Sequence, residues 1–144
     1  MVIIVDKLYF IAKCVIINDK NQILILKRTD YKNNGTENLW DFPGGNIEKY
    51  EDVNISIKRE VFEETKIELN STKIVSIDSG KKDENEEIIF VIFASKDYKI
   101  NEQIILSEEH LEYKWITVDE IDNYDFYLKP ERLEKIKNYL IKNN

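Results

Sequence analysis

Apolar residues recur along this chain in two rhythms, one every second residue and one every three to four, and these divide it into strands and helices. Residues 8–17 are β-branched and aromatic and read as a strand. Asn18-Asp19-Lys20-Asn21 reads as a turn and residues 22–28, QILILKR, as a second strand. Residues 8–28 are therefore expected to form a hairpin. Residues 29–38, with Asn33-Asn34-Gly35, read as a polar loop, and the run from Trp40 to Gly45 leads into a break. From about Asp52 to Thr65 the rhythm turns helical, with Val53, Ile57 and Val61 on one apolar stripe. Residues 72–79 and 87–95 read as strands separated by a charged loop, KKDENE. A short strand is expected near 112–117 and a short helix from Asp119-Glu120-Ile121. Residues 129–142 suit a closing helix, with Pro130 in its first turn and Leu133, Ile136, Tyr139 and Leu140 inward. This order predicts an α+β fold, a mixed β-sheet sandwiched between α-helices.

Length and composition narrow this picture. The 144 residues suit a single domain, residues 1–144, with one core. A net charge of −7 and the lack of a basic face argue against a nucleic-acid partner. An acidic protein can still bind phosphates when a metal ion stands between the negative groups. No apolar run approaches the roughly 18 residues of a membrane span, so no membrane partner is expected. The apolar opening is interrupted by Asp6, Lys7 and Lys13 and lacks the marks of a signal peptide. Cys14 is the single cysteine, so no intrachain disulfide forms, and a cytoplasmic location is expected.

The chemistry is concentrated in residues 45–67, GNIEKYEDVNISIKREVFEETKI. Glu60, Glu63 and Glu64 are related by three and four residues, so helical geometry sets them near one face. Carboxylates that close repel one another, and magnesium, or manganese in its place, relieves that repulsion. Arg59 and Glu51 are placed to orient them. Gly44 and Gly45 allow a loop that aims a carbonyl at a metal or lets a phosphate reach the main chain. Such a set suits cleavage of a diphosphate bond.

The same residues resemble the Nudix box, G-x5-E-x7-R-E-U-x-E-E-x-G-U, with U a bulky aliphatic. Gly45, Glu51, Arg59-Glu60-Val61, Glu63-Glu64 and Ile67 match, and only Lys66 departs, standing where the family has glycine. The resemblance implies the Nudix fold, a metal-dependent hydrolase and a small-molecule nucleotide substrate. It implies metal binding by Glu60, Glu63, Glu64 and the Gly45 carbonyl, with Glu51 and Arg59 as orienting partners. In the S-x-E-H-x-E-x-x-W stretch that ends on Trp115, it points to Glu109 as the water-activating acid, with a surface loop carboxylate as the other reading, while His110, the only histidine, is a candidate substrate contact with a structural or exposed place as its other role. Lys27 and Arg28 end a strand, and Arg28 is a candidate phosphate contact. Trp40 and Phe42 are candidates for a wall beside a base, with the core as their other role. Lys66 falls where a left-handed backbone is expected just past the helix.

The marks of ADP-ribose, diadenosine-polyphosphate and NADH-type members are absent, which leaves the MutT-like group. The expected reaction converts a nucleoside triphosphate, with an oxidised purine nucleotide as one form, to monophosphate plus pyrophosphate. The alternatives are an ADP-ribose, nucleotide-sugar or dinucleotide pyrophosphatase and a non-catalytic nucleotide-binding module. A relative of isopentenyl-diphosphate isomerase would need a reactive cysteine, and Cys14 falls inside a strand. Ile55 and Phe62 give the box helix a second apolar side, which raises a homodimer as a further expectation.

Overall fold

In the computed structural model, residues 7–29 and 35–143 are described, and Asn33-Asn34 of the expected loop lie outside them. The strands are β1 (Lys7–Ile16), β2 (Ile23–Arg28), β3 (Trp40–Asp41), β4 (Gly44–Asn46), β5 (Ile67–Asp83), β6 (Glu86–Ile100) and β7 (His110–Ile116). The helices are α1 (Val53–Thr65) and α2 (Pro130–Lys142), with a 3-10 turn at Val118–Asn123. One sheet has the order β4-β1-β6-β5 and the other β3-β2-β7.

The expected hairpin of residues 8–28 does not form. β1 pairs with β4 and, in parallel, with β6, while β2 pairs with β3 and β7. Only an isolated bridge, Ile17 to Ile23, joins the two strands. The turn itself is where the sequence put it: the Asn18 side chain accepts from the backbone N–H groups of Lys20 and Gln22, at 3.0 and 2.9 Å. It swings the chain from one sheet to the other. The reason lies in β1, where residues 12–16 are buried on both faces and so require strands on both edges and cover above and below.

The KKDENE segment is not a loop either. Lys81, Lys82 and Asp83 complete β5, Glu86 opens β6, and only Glu84-Asn85 turn. Lys81 faces Glu87 across the ladder, and Lys7 of β1 faces Glu86, so opposite charges on both sides of β6 offset the like pair Asp83 and Glu86. Trp40–Asp41 and Gly44–Asn46, read as a break, are short strands that pair with β2 and β1.

The single core expected from length is two clusters, because the sheet has two faces. Along β6, Phe90, Ile92 and Ala94 join one cluster with Ile136 and Leu140 of α2. Val91 and Phe93 join the other with Ile57 and Val61 of α1. The α+β architecture with sheet between helices is as expected. Ile55 and Phe62, 61% and 42% exposed, face outward rather than into a second packing surface. No helix among the described residues is long and apolar enough to cross a membrane.

Candidate active site

The site begins where the Gly44-Gly45 loop meets α1. Gly44 has φ +149°, and a Cβ there would lie 2.0 Å from the Ala12 carbonyl oxygen, so β4 can approach β1 only without a side chain. Its N–H donates to Glu64 Oε1 at 2.9 Å. A Cβ on Gly45 would lie 2.6 Å from the carboxyl carbon of Glu60. The two glycines thus let two carboxylates, one helical turn apart, press against one loop.

Arg59 fixes the acidic side of the helix. Its Nε and Nη2 donate to the two oxygens of Glu51 at 2.8 and 3.0 Å, and Nη1 donates to Glu60 Oε1 at 3.0 Å. Ser56 Oγ also donates to Glu51. These donors hold the Glu51 carboxyl at about 2, below the usual range. Glu63 is turned outward, 56% exposed, and paired with Arg59 at 3.3 Å.

Glu64 is 3% exposed. Burial pushes its pKa up to about 8, against the pull of Lys13 and the Gly44 N–H. His110 Nδ1 lies 3.3 Å from Glu64 Oε2 but is not aligned for a hydrogen bond and has no other partner among the described residues. Burial lowers the His110 pKa to about 4, so its imidazole is neutral near pH 7. Burial also raises Glu60, against Arg59. Glu64, Glu109 and His110 each bring a ligand atom within 4.8 Å of the others. Glu109 is held in place by neighbours: its carbonyl accepts from Thr29 N at 3.0 Å, and Ser107 N donates to the Glu64 carbonyl at 3.2 Å. The carboxylates of Glu60, Glu64 and Glu109 beside the Gly44-Gly45 loop offer an oxygen-rich donor set that suits magnesium or manganese.

A cleft of about 340 Å3 is lined by Glu64, Glu109 and His110, by Gly44 and Gly45, and by Arg28, Tyr9, Ile88 and Tyr127. Its floor holds a group the sequence reading passed over. Lys13 Nζ and Arg28 Nη1 both donate to Asp41 Oδ2, at 2.8 and 2.9 Å. Burial works to lower the Lys13 pKa, but the carboxylates of Asp41 and Glu64 outweigh it and raise it. Lys13 was legible only as a charge inside an otherwise apolar run, and Asp41 only as a neighbour of the glycines.

Glu60 and Glu64 from the expected set press against the Gly44-Gly45 loop, while Glu64, Glu109, His110, Arg28, Gly44 and Gly45 line the cleft. Lys27, Trp40 and Phe42 are not in its lining. Phe42 is fully buried and stacks on Phe126 at 5.4 Å, and Trp40 packs edge-on to Tyr124. Their core role prevails because both rings join the cluster that α2 covers. Cys14 is buried, its thiol pushed upward by burial, and belongs to the cluster under α1.

The sequence model of the NUDIX domain matches residues 10–141. Over 111 residues the chain is 30% identical to an 8-oxo-dGTP diphosphatase from Buchnera aphidicola, covering 77% of this chain and 79% of that one. It is 26% identical to a nucleoside triphosphatase, NudI, from Escherichia coli, covering 88% and 95%. A MutT protein from Methanosarcina mazei shares the fold with a TM-score of 0.79 at 23% identity, covering 96% of each chain. With the box helix packed against its glycine loop, the chain belongs to the NUDIX family and is a MutT-like Nudix hydrolase.

Proposed function

We propose that this enzyme hydrolyses a nucleoside triphosphate to the monophosphate and pyrophosphate, with magnesium, or manganese in its place, as cofactor. The observation that carries this reading is the joining of two features in one cleft. Glu64, buried against the glycine loop, and Glu109 line it together with the cations Lys13 and Arg28 and the rings of Tyr9 and Tyr127. The relatives named for nucleoside triphosphates and 8-oxo-dGTP support it.

Glu60, Glu64 and the Gly45 carbonyl would hold the cation, with the Glu109 carboxylate near Glu64; Glu63 acts through Arg59. When bound there, the cation would supply polarisation of the phosphate oxygens and a lowered water pKa. Arg59 and Glu51 keep the carboxylates from turning into solvent. Glu109 accepts the proton of the attacking water at its carboxylate. The water oxygen bonds to phosphorus, the bond to the pyrophosphate oxygen breaks, and the electron pair leaves with pyrophosphate. His110, neutral and with its Nδ1 unpartnered among the described residues, donates to or accepts from the substrate without adding charge. Arg28 supplies positive charge to the substrate.

A panel of nucleoside triphosphates, nucleotide sugars, dinucleotides and ADP-ribose, assayed for phosphate and pyrophosphate with magnesium and with chelator, tests this. The expected result is magnesium-dependent pyrophosphate release from triphosphates. Faster cleavage of a nucleotide sugar or dinucleotide overturns the substrate assignment.

A further inference from the structure

Lys13 is 6% exposed, yet its ammonium lines the cleft. A lysine ammonium has three donors and no acceptor. The hydrogen bond it makes among the described residues is the one to Asp41. The same Asp41 oxygen also takes Arg28, and the other oxygen of Asp41 accepts from Phe42 N at 2.8 Å. Asp41 thus serves two cations, and Glu64, which also faces the ammonium, makes no hydrogen bond to it, which leaves unused ammonium N–H groups at the cleft wall. A buried donor without an acceptor is costly, and a ligand acceptor removes that cost.

The surroundings say which part of a ligand comes here. Alternation along β1 puts Tyr9, Ile11 and Lys13 on one face, and Ile88 pairs with Tyr9 from β6. The Tyr127 ring centre is 5.9 Å from Lys13 Nζ and 4.3 Å from the Arg28 guanidinium carbon. Apolar and aromatic walls of this kind receive a flat ring. Glu64 and Glu109 line the same cleft beyond Gly44, the β4 residue that pairs with Lys13, and that is where a metal and phosphates belong.

We infer that Lys13, backed by Asp41 and beside Arg28, is a specificity-determining residue that donates hydrogen bonds to a carbonyl-bearing edge of the substrate's base. A donor-only group favours guanine, through O6 and N7, and thymine or uracil, through O4. It disfavours adenine and cytosine, which present an amino group at the corresponding position. The inference rests on the nucleoside triphosphate reading of the cleft.

The test is kcat/KM with magnesium for dGTP, dTTP, dATP and dCTP, on wild type, Lys13→Met and Lys13→Gln, with a melting curve for each. Lys13→Met leaves Asp41 paired with Arg28, so the fold keeps a partner for that buried carboxylate. Wild type is expected to prefer dGTP and dTTP. Lys13→Met should lose about tenfold or more on those two while changing dATP and dCTP by less than about threefold. Lys13→Gln, whose amide both donates and accepts, keeps a donor for Asp41 and should shift preference toward dATP. An equal loss on all four nucleotides overturns the inference, since it marks a phosphate contact or a purely structural lysine. So does unchanged preference in either variant. If wild type cleaves none of the four, the substrate reading itself fails, whatever the variants do.

Discussion

Lys66 sits just past α1 with φ 66° and ψ 14°, the left-handed conformation in which its family carries glycine. Its N–H closes the helix on the Phe62 carbonyl at 2.9 Å, and its ammonium lies 5.0 Å from the Phe62 ring centre. The backbone costs a lysine about 1 kcal/mol, and the cation–ring contact returns about 0.5–1 kcal/mol. Lys66→Gly is therefore expected to leave the melting temperature unchanged or raise it, and a fall of several degrees contradicts that. The two glycines of the loop separate stability from chemistry. An alanine Cβ at position 44 would meet backbone at 2.0 Å, so Gly44→Ala should destabilise by more than about 2 kcal/mol. At position 45 the obstacle is the far end of Glu60, which can swing aside. Gly45→Ala should melt near wild type yet lose about tenfold or more in kcat, because Glu60 is displaced. Equal effects of both on melting would refute this division. The box glutamates were legible because helical spacing alone brings them together. Lys13 was not, because its partner Asp41 lies 28 residues away and only the sheet pairing joins them.

At the scale of elements, the strands and helices were largely readable and their partners were not. Alternating apolar residues mark β1 and β2, but nothing local says that β1 takes β6 as a parallel neighbour across seventy-odd residues of chain. The hairpin expectation followed the commoner short-range pairing, and burial of β1 on both faces overrode it. KKDENE failed for the opposite reason: charge suggested a loop, while cross-strand pairing of those charges made it sheet. The closing helix was read closely, and its anchor is a polar one. Arg132 donates to Asp78 at 2.9 Å and stacks over Phe90 at 3.9 Å, and Lys135 reaches the same carboxylate at 3.2 Å. Asp78→Ala should cost about 1–2 kcal/mol in urea denaturation. Its kcat should stay within about twofold, since Asp78 is not in the cleft lining. An unchanged denaturation midpoint contradicts the anchor.

Across the whole molecule, a net charge of −7 coexists with a site that must take a polyanion. The structure meets this by setting the cations Lys13 and Arg28 in the same cleft as the acids Glu64 and Glu109. Glu64 ties stability to pH. Glu64 is raised from 4.5 to about 8, so between those values the folded metal-free protein holds a proton that the unfolded chain releases, and stability falls as pH rises. His110 is lowered from 6.5 to about 4, so between those values the unfolded chain binds the extra proton, and stability rises with pH. The two effects oppose below pH 6.5, and His110 no longer offsets Glu64 from there to 8. The metal-free protein should thus lose about 1–2 kcal/mol between pH 6.5 and 8, and millimolar magnesium should flatten that slope. A flat metal-free profile in that window contradicts the buried, proton-favouring Glu64.

The most direct test of the hydrolase mechanism is pyrophosphate release from a nucleoside triphosphate by wild type and Glu64→Gln, with magnesium and with chelator. The amide oxygen in the Glu64→Gln variant still accepts from the Gly44 N–H, so the loop and helix stay together. The expected result is release that requires magnesium in wild type and falls at least about a hundredfold in Glu64→Gln at an unchanged fold. Full activity in Glu64→Gln, or a rate in wild type indifferent to chelator, would contradict the account.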